Sequence, residues 1–98
     1  MAQTQVVQRA STRTAYPNRY NVVFHNDDYT PMDFVITLLI QIFNKNLEQA
    51  NELTMQIHHE QAAIAGTYSK EIAEQKLSEA TAEITHNGYQ LKVTLETV

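Results

Sequence analysis

The sequence predicts an α+β fold: a two-layer sandwich in which a three-stranded sheet is covered by three helices, in the order βααβαβ. Three observations lead there. Three short segments are β-rich, low in charge or alternating, and three longer stretches repeat their apolar residues at helical spacing. Capping chemistry stands at most of the boundaries between them. Only two Gly and two Pro punctuate the 98 residues, so each marks a boundary.

Tyr20-Asn21-Val22-Val23-Phe24-His25 is rich in β-branched and aromatic side chains and stops at Asn26-Asp27-Asp28, residues that favour turns by bonding their own backbone. This is the first strand. Thr30-Pro31-Met32-Asp33 is a helix start, with Thr30 as N-cap, Pro31 at the first helical position and Asp33 completing a short capping box. The helix runs through Phe34 to Phe43 and is apolar on almost every side, as expected of a helix covered on two faces. Asn46 and Gln49 form a second capping pair before the stripe Leu47, Ala50, Leu53 and Ile57, which defines an amphipathic helix.

Ala62 to Tyr68 is short and low in charge and fits a strand despite its alanines, with Ser69 as N-cap of the next helix. That helix extends from Lys70 to about Asn87 on the stripe Ala73, Leu77, Ala80 and Ile84, closed by Gly88. Gln90 to Glu96 alternates polar and apolar, a half-buried strand with Leu91, Val93 and Leu95 inward. Hairpin turns are absent between the strands, so periodicity does not give their pairing order.

The composition excludes several functions. With no cysteine there is no disulfide framework, thiol nucleophile or thiolate zinc site, which suits a reducing compartment, the cytoplasm by default. No apolar run approaches the roughly 20 residues needed to cross a bilayer, and Met1-Ala2-Gln3-Thr4-Gln5 lacks the basic-then-apolar order of a secretory signal. No membrane partner is expected.

Residues 1–19 hold Arg9, Arg13 and Arg19 and no acid, so the net charge of −4 resolves into +3 for this segment and −7 for the rest. An acidic body repels phosphate backbones, which argues against nucleic acid and for a cationic ligand. Residues 1–19 are also poor in large apolar side chains and are expected to form a flexible tail before a single domain at 20–98. Low acid content with Arg and Ser is shared with organelle transit peptides, but the segment is short and has no amphipathic repeat.

Asn26-Asp27-Asp28 lies between a strand and a helix, where loop side chains are held by rigid elements, although such residues also serve turns alone. His58 and His59 are adjacent on a helix and point about 100° apart, so they do not aim at one metal. His59 reads as solvated. His58 reads as partly buried with a backbone partner, and no His-Glu-x-x-His spacing exists. No serine has a Gly-rich elbow, no Gly-rich loop cradles phosphate, and the pairs Asp27/Asp28 and Glu71/Glu74 read as solvated charges. Met32, Val35, Ile57 and Leu91 suit either core or the lining of a pocket. The chemistry favours a binding module over an enzyme, with no metal or other cofactor.

The run His25-Asn26-Asp27-Asp28-Tyr29-Thr30-Pro31-Met32-Asp33-Phe34-Val35 resembles the N-D-D-x-T-P-M-[DE]-F-V signature of the ClpS family, adaptors that hand N-degron substrates to the Clp ATPase and protease. The resemblance continues through His58, the strand Ala63 to Tyr68, the helix start Glu71 to Lys76 and the final Leu91 to Glu96. It implies a bacterial cytoplasmic adaptor for proteins whose first residue is Leu, Phe, Tyr or Trp. By position, Asn26, Asp28 and His58 would hold the α-ammonium group, with Asp27 beside them. Thr30, Met32, Val35, Ile57 and Leu91 would line the side-chain pocket. Glu71 and Lys76 match positions that dock on the N-terminal domain of a ClpA-like AAA+ ATPase, and the tail would enter the ATPase during delivery.

Three positions depart from the family pattern. Thr54 stands where many members have a pocket-gating Met, Glu60-Gln61-Ala62 replaces a glycine-containing stretch, and Ala65 stands where Cys is common. The substitutions imply a wider pocket wall at Thr54 and an altered helix C-cap after His59. The rival from another class is a stalk-like interaction domain of related fold, such as the C-terminal domain of the bacterial ribosomal stalk protein; fold alone does not separate the two.

Overall fold

The computed structural model describes residues 19–98. Its elements are β1 (Arg19–His25), α1 (Met32–Gln41), α2 (Leu47–Glu60), β2 (Ala62–Ser69), α3 (Lys70–His86) and β3 (Lys92–Thr97), the βααβαβ order expected of the α+β sandwich. Arg19 opens the first strand rather than ending the tail, and the remainder of that expected tail lies outside the described residues. The strand order, which periodicity left open, is β2-β1-β3 with both pairings antiparallel.

The middle strand is the most buried. Val22 and Phe24 are fully enclosed, and Phe24 meets Phe43 edge-on at a centroid distance of 5.4 Å. Leu38 and Leu39 of α1, Ala50 and Ile57 of α2, and Ala73, Ala80 and Ile84 of α3 complete the core. Each large side chain so enclosed contributes about 1.5 to 3 kcal/mol. The alanines of β2 and α3 have a packing role: Ala63, Ala65, Ala73 and Ala80 are all buried and keep that interface thin.

A bulge in β2 governs its inward residues. Val22 pairs with Gly66 and Val23 with Ile64, which leaves Ala65 as the extra residue. The bulge changes the alternation, so Ala63 before it and the bulged Ala65 both lie in the core, and Tyr68 after it packs against that core. Gly66 lacks the Cβ that would collide with the Tyr68 ring and hydroxyl lying over it.

The caps partly follow the sequence reading. At α2 the full capping box forms: Gln49 N donates to Asn46 Oδ1 at 2.8 Å and Asn46 N to Gln49 Oε1 at 3.0 Å. At the end of α3, Gly88 adopts φ 77°, Gly88 N donates to Thr85 O and Tyr89 N to Ile84 O, which is a complete Schellman motif. One expectation fails and another holds in position only. Thr30 is not the cap of α1, because its hydroxyl donates to Asp27 Oδ2, and the flanking residue is Pro31, with no side-chain cap bond. Ser69 is the N-cap of α3 as expected but makes no side-chain cap bond. Helix α1 also ends at Gln41, although Ile42 and Phe43 beyond it are buried as expected.

Candidate functional site

Strand β1 delivers the chain to Asn26, and the loop Asn26–Thr30 turns it into α1. Asp27 builds this loop. Its Oδ1 accepts from Tyr29 N at 2.9 Å and Thr30 N at 2.7 Å, and its Oδ2 accepts from the Thr30 hydroxyl at 2.8 Å. Burial raises the Asp27 pKa, but the bonds from Thr30 and Tyr29 outweigh it and hold the carboxyl below the ordinary 3.8. The carboxylate is thus spent on its own loop. Asp28, the next residue, is exposed, and its carboxylate has no hydrogen-bond partner among the described residues.

Asn26 is held from the other side by the end of α2. Its N–H donates to Gln61 O at 2.9 Å, and its Nδ2 makes a longer contact of 3.4 Å with Gln61 Oε1. With the amide nitrogen turned to Gln61, Asn26 Oδ1 remains as an acceptor. Gln61, which the sequence offered only as part of the stretch replacing the family's glycine and not as a neighbour of the site, ends α2 in the left-handed conformation, φ 73°, where a glycine would be unstrained. The altered C-cap expected there is present, and the only hint of it in the chain was a non-glycine at a helix end.

These groups surround a cavity of about 250 Å³. Asn26, Asp27, Asp28 and Thr30 form its polar side with His58 of α2. Met32 and Val35 of α1, Thr54 and Ile57 of α2, and Leu91 ahead of β3 form the rest of the wall. Val35, Ile57 and Leu91 are buried, whereas Met32 is 43% exposed and stands at the mouth. His58 is exposed, not the partly buried residue with a backbone partner suggested by its place beside Ile57. His59 is exposed too and meets the His58 ring edge-on at 5.2 Å.

The arrangement joins acceptors at a rim to an apolar interior. Such a site suits a ligand with a cationic donor beside a hydrophobic group. Among the described residues no cluster of three or more His, Cys, Asp or Glu is placed to hold a metal. No helix among them is long and apolar enough to cross a membrane.

Glu71 and Lys76 lie elsewhere. Glu71 is exposed in the first turn of α3. Lys76 is half-buried: its Nζ donates to Ile42 O at 2.6 Å and lies 5.8 Å from the centre of the Tyr68 ring. It therefore closes the C-terminal end of α1, about 10 to 15 Å of helix away from the residues of α1 that line the cavity.

Fold and site together define a small binding module, a helix-covered sheet with an acceptor-rimmed apolar pocket. The pattern of the family described as ATP-dependent Clp protease adaptor protein ClpS matches residues 15–94. The ATP-dependent Clp protease adapter protein ClpS of Vibrio atlanticus is 44% identical over 95 residues, covering 97% of this chain and 90% of that one. Its counterpart in Desulforapulum autotrophicum is 40% identical, with 93% and 91% covered. The structure of Agrobacterium tumefaciens ClpS2 bound to L-phenylalaninamide superposes with a TM-score of 0.80 at 33% identity, covering 84% of this chain and 99% of that one. The chain belongs to the ClpS family and is an adaptor of the Clp protease. The stalk-like alternative is set aside.

Proposed function

We propose that the protein binds other proteins by their free α-amino group and bulky hydrophobic first side chain, Leu, Phe, Tyr or Trp, and delivers them to a ClpA-like AAA+ ATPase. One observation supports this above the rest: Asn26, Asp28 and His58 stand as acceptors on the edge of the apolar cavity formed by Val35, Ile57 and Leu91. An ammonium group has three donors, and an amide oxygen, a carboxylate and an imidazole nitrogen answer one each. The compound bound to the Agrobacterium relative has the same two halves, a free α-amino group and a benzyl side chain, followed by an amide that stands in for the next peptide bond.

An internal segment or an acetylated terminus lacks the charged donors. It would leave the rim acceptors unmatched while still burying its side chain, so selectivity comes from the amine and most of the affinity from the pocket. Delivery assigns a second role to the surface around Glu71, with Lys76 contributing the donors that Ile42 leaves unused. The role needs no catalytic group and no cofactor, and it belongs in the bacterial cytoplasm.

Titration with a Phe-initiated peptide tests the reading. Asn26→Ala and His58→Ala should each weaken binding by about 1 to 3 kcal/mol with little effect on folding, and N-acetylation of the peptide should weaken it more. Equal affinity for free and acetylated peptides would refute the proposal.

A further inference from the structure

One part of the cavity wall is polar. Thr54 is 5% exposed, the buried polar side chain among the described residues, and it sits among Met32, Val35, Ile57 and Leu91. Its hydroxyl donates to Ala50 O, one turn back in α2, at 2.8 Å. A hydroxyl has a single proton and two lone pairs, so toward any other group this oxygen only accepts.

Its depth follows from the helix. Thr54 and His58 are four residues apart and share a face of α2, about 6 Å apart along the axis. His58 is exposed at the rim, and Thr54 is buried in the wall. An ammonium group held at the rim places the far end of an aromatic first side chain about one helical turn further in, beside Thr54.

Resting on the ligand class proposed above, we propose that Thr54 Oγ1 is an acceptor for the far end of the first side chain, so that the pocket prefers Trp and Tyr over Phe and Leu. An indole N–H or a phenol O–H buried without a partner loses its hydrogen bond to water, and the aliphatic wall returns nothing. Thr54 supplies that partner. A Phe or Leu side chain leaves only spare lone pairs on an oxygen whose proton is already bonded, so it enters without the gain.

Four peptides that differ only in a first residue of Trp, Tyr, Phe or Leu, titrated by calorimetry, test this. Replacement by Val keeps the branched shape and removes the oxygen, whereas Ser keeps the oxygen. The readout is the ratio of affinities, in which any uniform loss cancels. In Thr54→Val the Trp-to-Phe and Tyr-to-Phe ratios should fall about three- to tenfold, and in Thr54→Ser they should hold. Thr54→Ala, which also lacks the oxygen, gives the same readout should the Val variant not fold. Unchanged ratios in the variants lacking the oxygen would overturn the role of Thr54 while Phe binding leaves the pocket itself standing. Absence of binding of all four peptides to the wild type would remove both.

Discussion

The two ends of α1 are finished in opposite ways. At the C-terminal end the chain closes on itself: Ile42 O takes the Lys76 ammonium, Lys45 N donates to Leu39 O, and Phe43 is wedged between Phe24 and Tyr68. At the N-terminal end Asp27 holds the loop together, but Asp28 and the oxygen of Asn26 have no hydrogen-bond partner among the described residues, and His58 stands exposed beside them. One end contributes stability. The other has the spare hydrogen-bonding capacity that the proposed function assigns to a ligand, and on that reading two identical neighbouring side chains, Asp27 and Asp28, divide those duties.

The sharpest way to break the closed end is Phe43→Ala. Phe43 is 3% exposed, and removing a buried aromatic ring costs about 3 to 5 kcal/mol, a large share of the total stability of a small domain. Urea unfolding should show that loss, and a cost below about 1 kcal/mol would mean that the cluster does not anchor the helix.

A middle-sized effect is expected at the frame of the open end. Asp27→Ala removes the acceptor of three bonds and should cost about 1 to 3 kcal/mol, with peptide affinity falling as well because Asn26 and Asp28 flank it. The effect depends on pH. The folded-state pKa lies below 3.8, so the folded state binds this proton less tightly than the unfolded state. The contribution is fully present above that ordinary value and disappears as pH falls through the lower folded value. The stability gap between wild type and Asp27→Asn should therefore be constant near neutrality and narrow below about pH 4; a gap that widens there would contradict the role given to the carboxylate.

The smallest effect has the opposite sign. Gln61 holds φ 73°, a conformation that costs a residue with a Cβ about 1 to 2 kcal/mol, partly offset by the extra chain freedom of glycine. Gln61→Gly should raise stability by about 0.5 to 1 kcal/mol, seen as a higher melting temperature, and should lower peptide affinity slightly because the contact with the Asn26 amide is lost.

Much of the architecture could be read from local chemistry. The Asn46–Gln49 box, Gly88 at the end of α3 and the alternation after Gln90 each specify an element within a few residues, and all six elements were placed that way. The failures arise where a distant or competing partner decides. Thr30 has the right side chain for an N-cap, but the Asp27 carboxylate three residues earlier takes its proton. Leu47 continues the apolar stripe of α2 and is nevertheless 61% exposed, since the first turn of that helix extends past the core. Thr54 is buried because bonding back to Ala50 satisfies its proton, which no apolar periodicity reveals.

Sheet order and the meeting of Asn26 with Gln61 depend on contacts between residues far apart in the chain. Periodicity does not reach them. The cavity residues were gathered beforehand by resemblance to a family, because positions from 26 to 91 share no local pattern. Their individual roles rest on the titrations set out above.

The central place of β1 also fixes where the chain enters and leaves. Val98 N donates to Arg19 O at 3.1 Å, so the two ends of the described chain are neighbours at one pole of the sheet. The pocket loop begins after His25, about 20 Å along the strand at the other pole. A fluorophore, a surface tether or a fused domain attached through Val98 stays remote from the pocket loop. Because Arg19 and Val98 adjoin, a short peptide joining them in a chain without residues 1–18 should permit circular permutation, with new ends opened in the Asn44–Asn46 connection and the pocket loop left whole.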